Sequence, residues 1–569
     1  MNLRFLAAAG PTDALRELEG RIGSARENGL AKAFEAGSLA VWTFPTTPTL
    51  IAADGRAMLV GLLFDGETGA RLSAPSGAEV GQPLSGRRWG PHILFATAPC
   101  EHSVLRDPSG ALPVYHGTLG ELEIYASDAG LLEAAWSTAF RPDLDFIRHW
   151  LTFPFLRTAR TGVEGVRELL PGAYRRASPV GEDLGEAWSP FTFTGSDRAI
   201  TSFNEAAALL REEILRTIPA LAAAGGEVAL QLSGGLDSSI IAAALAHAGI
   251  GFRAVTFATL SADGDERRFA REMAERCDVK LVELVEETRR PMLDVRAANP
   301  LRPPPNPLLQ PLHRAISLQL TLLGADTVLD GAGGDNIFAS LNTASPAVDA
   351  FRRAGSSVAL RALREIAQVH RCTYWTAVRS ALRRVRRGAP SRWPRDTTFL
   401  AEGAAAPARE AHPWLVSHPG LLPGSADHVR MIAGIHHFLS DPGPMTPTSL
   451  HPLLAQPLLE LCLRIPSWLW VAGGRDRSVA REAVRGLVPD AILDRRGKGT
   501  LESMFMKNYM SARPSLEELL VEGRLAGHGI IDATAVSAYL RHDREPRDLG
   551  YVRLLEIAAA EQWLRSFSG

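Results

Sequence analysis

The apolar positions of the first 190 residues fall in short runs separated by Gly, Pro and Asp. "LAVWTFP", "AMLVGLLFD", "HILFATA", "LPVYHGTL" and "LEIYASD" are predicted strands with turns between them. Helical patches such as "DALRELEGRI" are few, so residues 1–190 are expected to form a sheet-rich domain. Residues 182–200, "EDLGEAWSPFTFTGSDRAI", are polar and irregular and read as a linker. The pattern then changes. In "SFNEAAALLREEILRTIPALAAA", Phe203, Ala207, Leu210 and Ile214 recur near the helical period. Four predicted strands follow, at residues 228–232, 253–258, 280–284 and 327–329, with helical stretches between them. Strands alternating with helices predict a parallel sheet covered on both faces. Beyond about residue 340 the pattern is mostly helical to the end, and residues 200–569 read as a second domain. A length of 569 residues agrees with two domains of an α/β protein.

Composition narrows the function classes. Hydrophobic residues make up 46% and charged residues 22%, as in a soluble globular protein. A formal net charge of −2 argues against binding nucleic acid or a membrane surface through bulk charge. No uninterrupted run reaches the roughly 20 apolar residues that span a bilayer. The best stretch, 316–329, contains Gln319 and Asp326. Cys100, Cys277, Cys372 and Cys462 are far apart, which suggests neither a zinc site nor a disulfide framework and fits a reducing cytoplasm. The first twenty residues do not follow a signal-peptide pattern. Lysine occurs only at positions 32, 280, 498 and 507 among many arginines, so a lysine in a chemical context stands out.

The densest chemistry is "EVALQLSGGLDSSIIAAALAHAG". A predicted strand ending at Leu232 delivers Ser233, Gly234, Gly235 and Leu236 into a tight turn. The two glycines let several N–H groups face one anion. Ser238, Ser239 and the start of the following helix add hydroxyls and a positive dipole end. The turn lacks the lysine of a Walker A loop and carries Asp237 instead. An acid beside a polyphosphate needs an intervening cation, so Asp237 is expected to bind Mg²⁺ that bridges to phosphate. The second motif, "TVLDGAGGDNIF", brings Asp330, Gly331 and Asp335 to the end of another strand. Carboxyl ends of parallel strands share one edge, where ligands bind. Asp335 can therefore meet Asp237 across one or two Mg²⁺ ions.

SGGLDSS resembles the pyrophosphate loop of ATP pyrophosphatases, which cleave ATP between the α and β phosphates and adenylate a carboxyl or similar oxygen. With the second motif, the chain resembles the asparagine synthetase superfamily, whose second motif usually reads Gly-Glu-Gly-x-Asp-Glu. Here it reads Gly331-Ala332-Gly333-Gly334-Asp335-Asn336: the metal-binding Asp is kept and both Glu are lost. "LRDPSGALPVYH", "YASDAGLL", "GVEGVRELLPGAY" and "DERRFAREMA" also have counterparts in the family. The resemblance implies an N-terminal glutaminase-like (Ntn-hydrolase-like) αββα domain and a C-terminal ATP-pyrophosphatase domain with a helical C-terminal part. It implies ATP and Mg²⁺, with backbone near Thr256 and Gly331 bordering adenine and ribose. Asp265 and Glu266 read equally as a helix N-terminal cap.

"GGRDRSVAREAVRGLVPDAILDRRGKGT" resembles the family's C-terminal signature. Lys498 falls on the catalytic lysine position of the related β-lactam synthetases, where it would stabilise developing charge. Arg477 and Arg481 are candidate pyrophosphate contacts, or surface salt-bridge partners. The cysteine that follows the initiator Met in glutamine-dependent members is replaced by Asn2, so the first domain is expected to keep the glutaminase fold without its activity. Ala455 stands where asparagine synthetases tend to have Asp. These departures, with "HPLLAQP", look most like the lasso peptide cyclases. Those enzymes adenylate an Asp or Glu side chain of a precursor peptide and close a macrolactam on its N-terminal amine. The resemblance implies a leader-peptide-binding protein and a leader peptidase as partners. A β-lactam synthetase, an ammonia-dependent asparagine synthetase and a non-catalytic nucleotide-binding relic stay open. The segment 298–311, "ANPLRPPPNPLLQP", reads as a rigid connector or as a wall of the peptide pocket.

Overall fold

The computed structural model describes residues 3–73, 88–136, 139–260, 264–285, 301–304, 310–388, 393–408, 412–416, 418–439, 447–495, 497, 499, 502–542 and 548–567. The first part of the chain is two stacked antiparallel sheets of six strands each. Phe5–Ala9 and Leu39–Thr43 lie in the middle of one sheet, and Ala57–Gly61, His92–Ala98 and Glu101–Arg106 in the middle of the other. Inward side chains meet between the sheets, as Phe5 and Phe95 do with ring centroids 5.3 Å apart. The alternate positions Leu6, Ala8, Ala40 and Trp42 face outward onto helices Thr12–Arg21 and Ala129–Ala135. Burial on both faces is why "FLAAA" and "LAVWT" are continuous apolar runs rather than alternating ones. Stacked sheets with helices outside are the glutaminase-like arrangement expected of this part.

The stretch 182–200 is more ordered than a linker. Gly181–Glu186 is an edge strand paired with Ala173–Ser178, and two 3₁₀ turns follow it. Trp188 is buried and its indole N–H donates to Glu460 Oε1 at 3.0 Å. The strand escapes a hydrophobic pattern because five of its six residues are exposed at the sheet edge.

Helix α1 (Phe203–Ala223) leads into a five-stranded parallel sheet. Its strands are β1 (Val228–Gln231), β2 (Arg253–Ala258), β3 (Leu281–Val285), β4 (Thr327–Leu329) and β5 (Thr448–Leu450). The spatial order is β3-β2-β1-β4-β5, so the winding reverses between β1 and β4. Four strands match the sequence reading to within a residue at their ends. The fifth, β5, lies in the region read as helical and has only three residues. Helix α2 (Leu236–His247) follows β1, and α3 (Arg267–Arg276) follows β2. Near the end of the chain come α4 (Ser478–Ala483), α5 (Glu502–Val521), α6 (Ala533–Arg541) and α7 (Gly550–Arg565). The last three share a core with helix Leu144–Thr152 of the first part, through Phe146, Ile147, Leu516 and Leu554. Among the described residues no helix is long and apolar enough to cross a membrane.

One buried ion cluster ties the first part to a later loop. Glu168 is 1% exposed and accepts from Arg106 Nη1 (2.8 Å), from Arg157 Nε (2.9 Å) and from Arg302. Burial alone would push the Glu168 carboxyl up, but Arg157, Arg302 and Arg106 outweigh it and hold it well below the usual range. Arg302 comes from the segment 298–311. Leu301 beside it is fully buried and accepts from Gly162 N at 2.7 Å. The described part of that segment is thus anchored on the first part of the chain, while residues 298–300 and 305–309 lie outside the described residues. Glu168→Gln keeps the shape and removes the charge, leaving three buried guanidiniums without a carboxylate. It is expected to lower stability by about 3–5 kcal/mol, read as a fall in the denaturant midpoint.

Candidate active site

The two motifs meet at the carboxyl edge of the sheet, where β1 and β4 lie side by side and the winding reverses. That is where open parallel sheets place ligands. Leu232 extends β1 by one further bond, its N–H donating to Val255 O at 2.8 Å. The turn then closes on itself. Ser233 N donates to Ser238 Oγ (3.2 Å), Gly235 N to Ser233 Oγ (3.3 Å), and Ser238 Oγ to Gly235 O (3.3 Å). Gly234 has φ +76, and a Cβ there would stand 2.6 Å from Ala270 N and 2.8 Å from Phe269 Cβ. Glycine is therefore required both by the backbone angle and by the close passage of α3. The turn feeds α2, whose first turn carries Asp237 and points its N-terminus at the same edge.

The second glycine-rich turn is pressed against the first. A Cβ on Gly334 would fall 2.3 Å from Asp237 Cγ, and one on Gly331 would fall 2.9 Å from Ser238 N. The short helix Gly334–Ile337 carries Asp335 in its first turn. Asp237 and Asp335 converge on one atom: Arg477 Nη1 donates to Asp237 Oδ1 and Oδ2 at 3.0 and 3.1 Å, and to Asp335 Oδ1 at 2.5 Å. Arg477 precedes α4 with φ +53, a left-handed angle unusual for a residue with a side chain. Its Nε donates to Asp476 Oδ2 at 2.8 Å, and Asp476 Oδ1 also accepts from Arg481 Nη2 at 2.9 Å. Burial would lower the Arg477 guanidinium, but Asp237, Asp335 and Asp476 raise it above its ordinary value. Asp476 would be raised by burial, yet Arg477 and Arg481 hold it below the usual carboxylate range.

Asp330, at the end of β4, accepts from Ala332 N at 3.0 Å and faces His451 Nδ1 at 2.8 Å. His451 follows β5 directly. Burial would lower its pKa, but the Asp330 charge and hydrogen bond prevail and raise it. Thr256 Oγ1 on β2 and Ser239 Oγ on α2 are buried hydroxyl oxygens with no hydrogen-bond partner among the described residues. Lys498 lies outside the described residues, but its two neighbours do not. Gly499 N donates to Glu266 Oε1 at 2.5 Å, and Glu266 also pairs with Arg495. The Arg495 guanidinium lies over the Phe269 ring, 4.3 Å from its centroid. Phe269 is the residue that abuts Gly234, so the segment flanking Lys498 is held beside the phosphate turn. The sequence offers Glu266 as part of a family counterpart or as a helix cap; it stands at the N-cap of α3, but its side chain makes no cap hydrogen bond. Its tether to Gly499, and the Asp330–His451 pair, were not anticipated, although "HPLLAQP" and "DERRFAREMA" contain the residues.

These residues fit a magnesium-bound polyphosphate. Two carboxylates within 3.1 Å of a common point make a cation position, here spanned by a guanidinium. Among the described residues no cluster of three or more His, Cys, Asp or Glu side chains could cage a metal alone. Mg²⁺ bound by one or two carboxylates and completed by phosphate oxygens needs no such cage. The glycine turn at the start of α2 supplies the backbone N–H groups.

Comparison with known proteins agrees with the motifs. No curated protein matches the chain in sequence. Among solved structures, one titled as the allosteric regulatory enzyme of purine biosynthesis aligns at 12% identity, covering 51% of this chain and 81% of that one, with a TM-score of 0.21. A glutamine phosphoribosylpyrophosphate amidotransferase from B. subtilis, complexed with ADP and GMP, aligns at 11% identity over 57% of this chain and 90% of that one, with a TM-score of 0.22. Scores that low add nothing to the fold described above. The asparagine synthase family model matches residues 209–437 and 449–565, more than half of the chain, including four strands of the parallel sheet, most of the fifth and both acidic turns. The chain belongs to the asparagine synthase family.

Proposed function

We propose that this protein forms an amide within a peptide at the expense of ATP, as lasso peptide cyclases do. Members of its family are ATP-dependent carbon–nitrogen ligases. The reading of the acceptor rests on what has become of the family's acids. At the end of the second motif, Asn336 stands in place of Glu, and its Nδ2 donates to Met431 O at 2.6 Å. Ala455 is buried in a small apolar cluster with Leu62 and Trp89. Neither position offers a carboxylate to the ammonium group of a free amino acid. A carboxyl group already within a peptide has no such need.

ATP is a substrate here. The turn from Ser233 to Ser239 would cradle its β and γ phosphates, and Asp237 and Asp335 would hold Mg²⁺. The ion, when bound, neutralises charge on the departing pyrophosphate. An Asp or Glu side-chain oxygen of the peptide attacks the α-phosphorus, and the bond to the β-phosphate oxygen breaks. The peptide's own N-terminal amine then attacks the acyl carbon, AMP leaves and the amine gives up a proton. Lys498 is assigned to the α-phosphate and the developing oxyanion, brought in by the segment that Glu266 tethers. Holding one folded peptide makes the second step intramolecular, which favours it strongly. A leader-peptide-binding protein and a leader peptidase would deliver the trimmed peptide.

The test is ATP–pyrophosphate exchange with different carboxylates. A leaderless core peptide with a free N-terminus and an internal Asp or Glu is expected to stimulate exchange and to lose one water by mass. Exchange driven by free aspartate or a small β-amino acid, and not by the peptide, would refute the cyclase reading.

A further inference from the structure

The position where two carboxylates would grip a metal ion is spanned by a cation belonging to the chain. Arg477 Nη1 lies 2.5 to 3.1 Å from three oxygens of Asp335 and Asp237. Magnesium binds oxygen at about 2.0–2.1 Å. An ion gripping those oxygens would therefore take the space of Nη1, and two cations at such a separation repel. Arg477 and the ion are alternatives.

The rest of the side chain is built to let go at one end only. Arg477 Nε is held by Asp476, and Asp476 is held in turn by Arg481, whose Nη1 donates to Leu493 O at 2.5 Å. Arg481 is buried, so the half-buried Asp476 is braced from beneath. Rotation about the anchored end moves Nη1 off the carboxylates without breaking the Asp476 contact. The left-handed backbone at Arg477 aims the side chain at the acids and stores strain there. A phosphate oxygen arriving in the glycine turn offers the released guanidinium a new partner, in a geometry that suits its planar fork.

We propose that Arg477 is a gate on the metal site, pairing Asp237 and Asp335 until a polyphosphate draws it away. This rests on the reading of those two acids as the magnesium ligands. The free chain then binds divalent cation weakly, and cation and polyphosphate enter together. By linkage the coupling is reciprocal, and site couplings of this kind run from about 5-fold to 150-fold. The gate also keeps Asp237, only 7% exposed, from being buried without a cation before substrate arrives.

The probe is Mn²⁺ alone, titrated by electron paramagnetic resonance into the full chain, with and without inorganic pyrophosphate. In the unaltered protein, pyrophosphate is expected to tighten Mn²⁺ binding by at least about tenfold. Arg477→Gln is expected to bind Mn²⁺ alone about tenfold more tightly than the unaltered protein and to lose most of that coupling. Arg477→Lys, which keeps a cation but loses the Nε bond to Asp476, should still bind Mn²⁺ alone more weakly than Arg477→Gln does. Thermal melting supplies a second readout: Arg477→Gln should melt lower and be restored by Mn²⁺ alone, which leaves the unaltered protein unmoved. Mn²⁺ binding to the unaltered protein that is indifferent to pyrophosphate would overturn the gate, as would equal affinities for Mn²⁺ alone in the unaltered protein and Arg477→Gln. Failure of Mn²⁺ to bind even with pyrophosphate would overturn the metal assignment itself, and the gate with it.

Discussion

Asp237→Asn is expected to cut ATP–pyrophosphate exchange by about a hundred- to a thousandfold while leaving the chain folded. The substitution is isosteric, so the tight contact with Gly334 survives: a Cβ at Gly334 would already stand 2.3 Å from Asp237 Cγ, and the space is set by that close approach. What changes is charge. Arg477 would keep Asp335 and Asp476 as partners, at 2.5 and 2.8 Å, so the local network persists with one anion fewer. A cation position framed by one carboxylate instead of two loses half of its protein charge at the point where pyrophosphate must depart. Circular dichroism together with exchange kinetics separates this from misfolding. Near-normal exchange by a folded Asp237→Asn protein would exclude the acid from nucleotide handling. Gly334→Ala approaches the same defect from geometry, because its methyl group would have to displace the Asp237 carboxyl.

Residues whose roles are set within a few positions of chain were the legible ones. The turn from Ser233 to Ser239 closes through bonds among residues five or fewer apart, and its glycines answer a local backbone angle and a close helix. The strand runs of the first domain were equally plain, because burial of both faces leaves apolar residues in unbroken stretches. The edge strand Gly181–Glu186 is hidden for the opposite reason: its side chains are polar or exposed, and it is held by backbone pairing with polar contacts from Tyr174 to Asp183 and from Arg175 to Glu182. Three-residue β5 is too short to show a period, yet it positions His451 against Asp330, 121 residues earlier. The sequence offers Arg477 as a pyrophosphate contact or as a surface salt-bridge partner. Its bonds to Asp237 and Asp335 cross 240 and 142 residues, and no local pattern encodes a partnership at that distance. The three-arginine cage around Glu168 was illegible for the same reason. "LRDPSGALPVYH" was recognisable as a signature, but that Arg106 serves a buried carboxylate in a different strand emerges only from packing.

Acid is expected to destabilise the protein beginning near pH 6.5, through its buried histidines; Asp349, raised by burial to about 6, opposes part of the loss because the folded chain takes up that proton first. Four buried histidines carry most of the effect, and the half-buried His116, lowered by burial to about 4, adds to it. Burial lowers His412 and His437 to about 3 and His428 to about 4, and pushes His436 well below its ordinary value. Three of them sit in one patch where the two halves of the chain meet. The His412 and His436 rings stack 6.3 Å apart, the His437 ring lies 4.5 Å from Trp150, and Arg157 donates to His436 O at 2.5 Å. His412 Nε2, His436 Nδ1 and His437 Nδ1 are buried with no hydrogen-bond partner among the described residues, so a proton added there would be a buried charge near Arg157. His428 Nε2 lies 2.8 Å from Ile337 O, at the end of the short helix that carries Asp335. Because each folded value is depressed, the unfolded chain takes up the proton first. The stability is fully present above pH 6.5 and drains away as the pH falls toward 3 to 4. At pH 5 His412, His428 and His437 each account for about 2 kcal/mol, on the order of 6 kcal/mol together, and His436 acts in the same direction. That is comparable with the whole stability of a typical domain, about 5–15 kcal/mol. Glu168, also depressed, adds a later loss that starts only below the ordinary carboxylate value of about 4.3. Denaturant midpoints measured from pH 7.5 to pH 5 should therefore fall steeply, and His437→Phe, which suits the aromatic pocket of Trp150 and Phe155, should flatten the slope. A midpoint constant across that range would mean that these rings meet water in solution, and would remove the interdomain patch as a source of acid sensitivity.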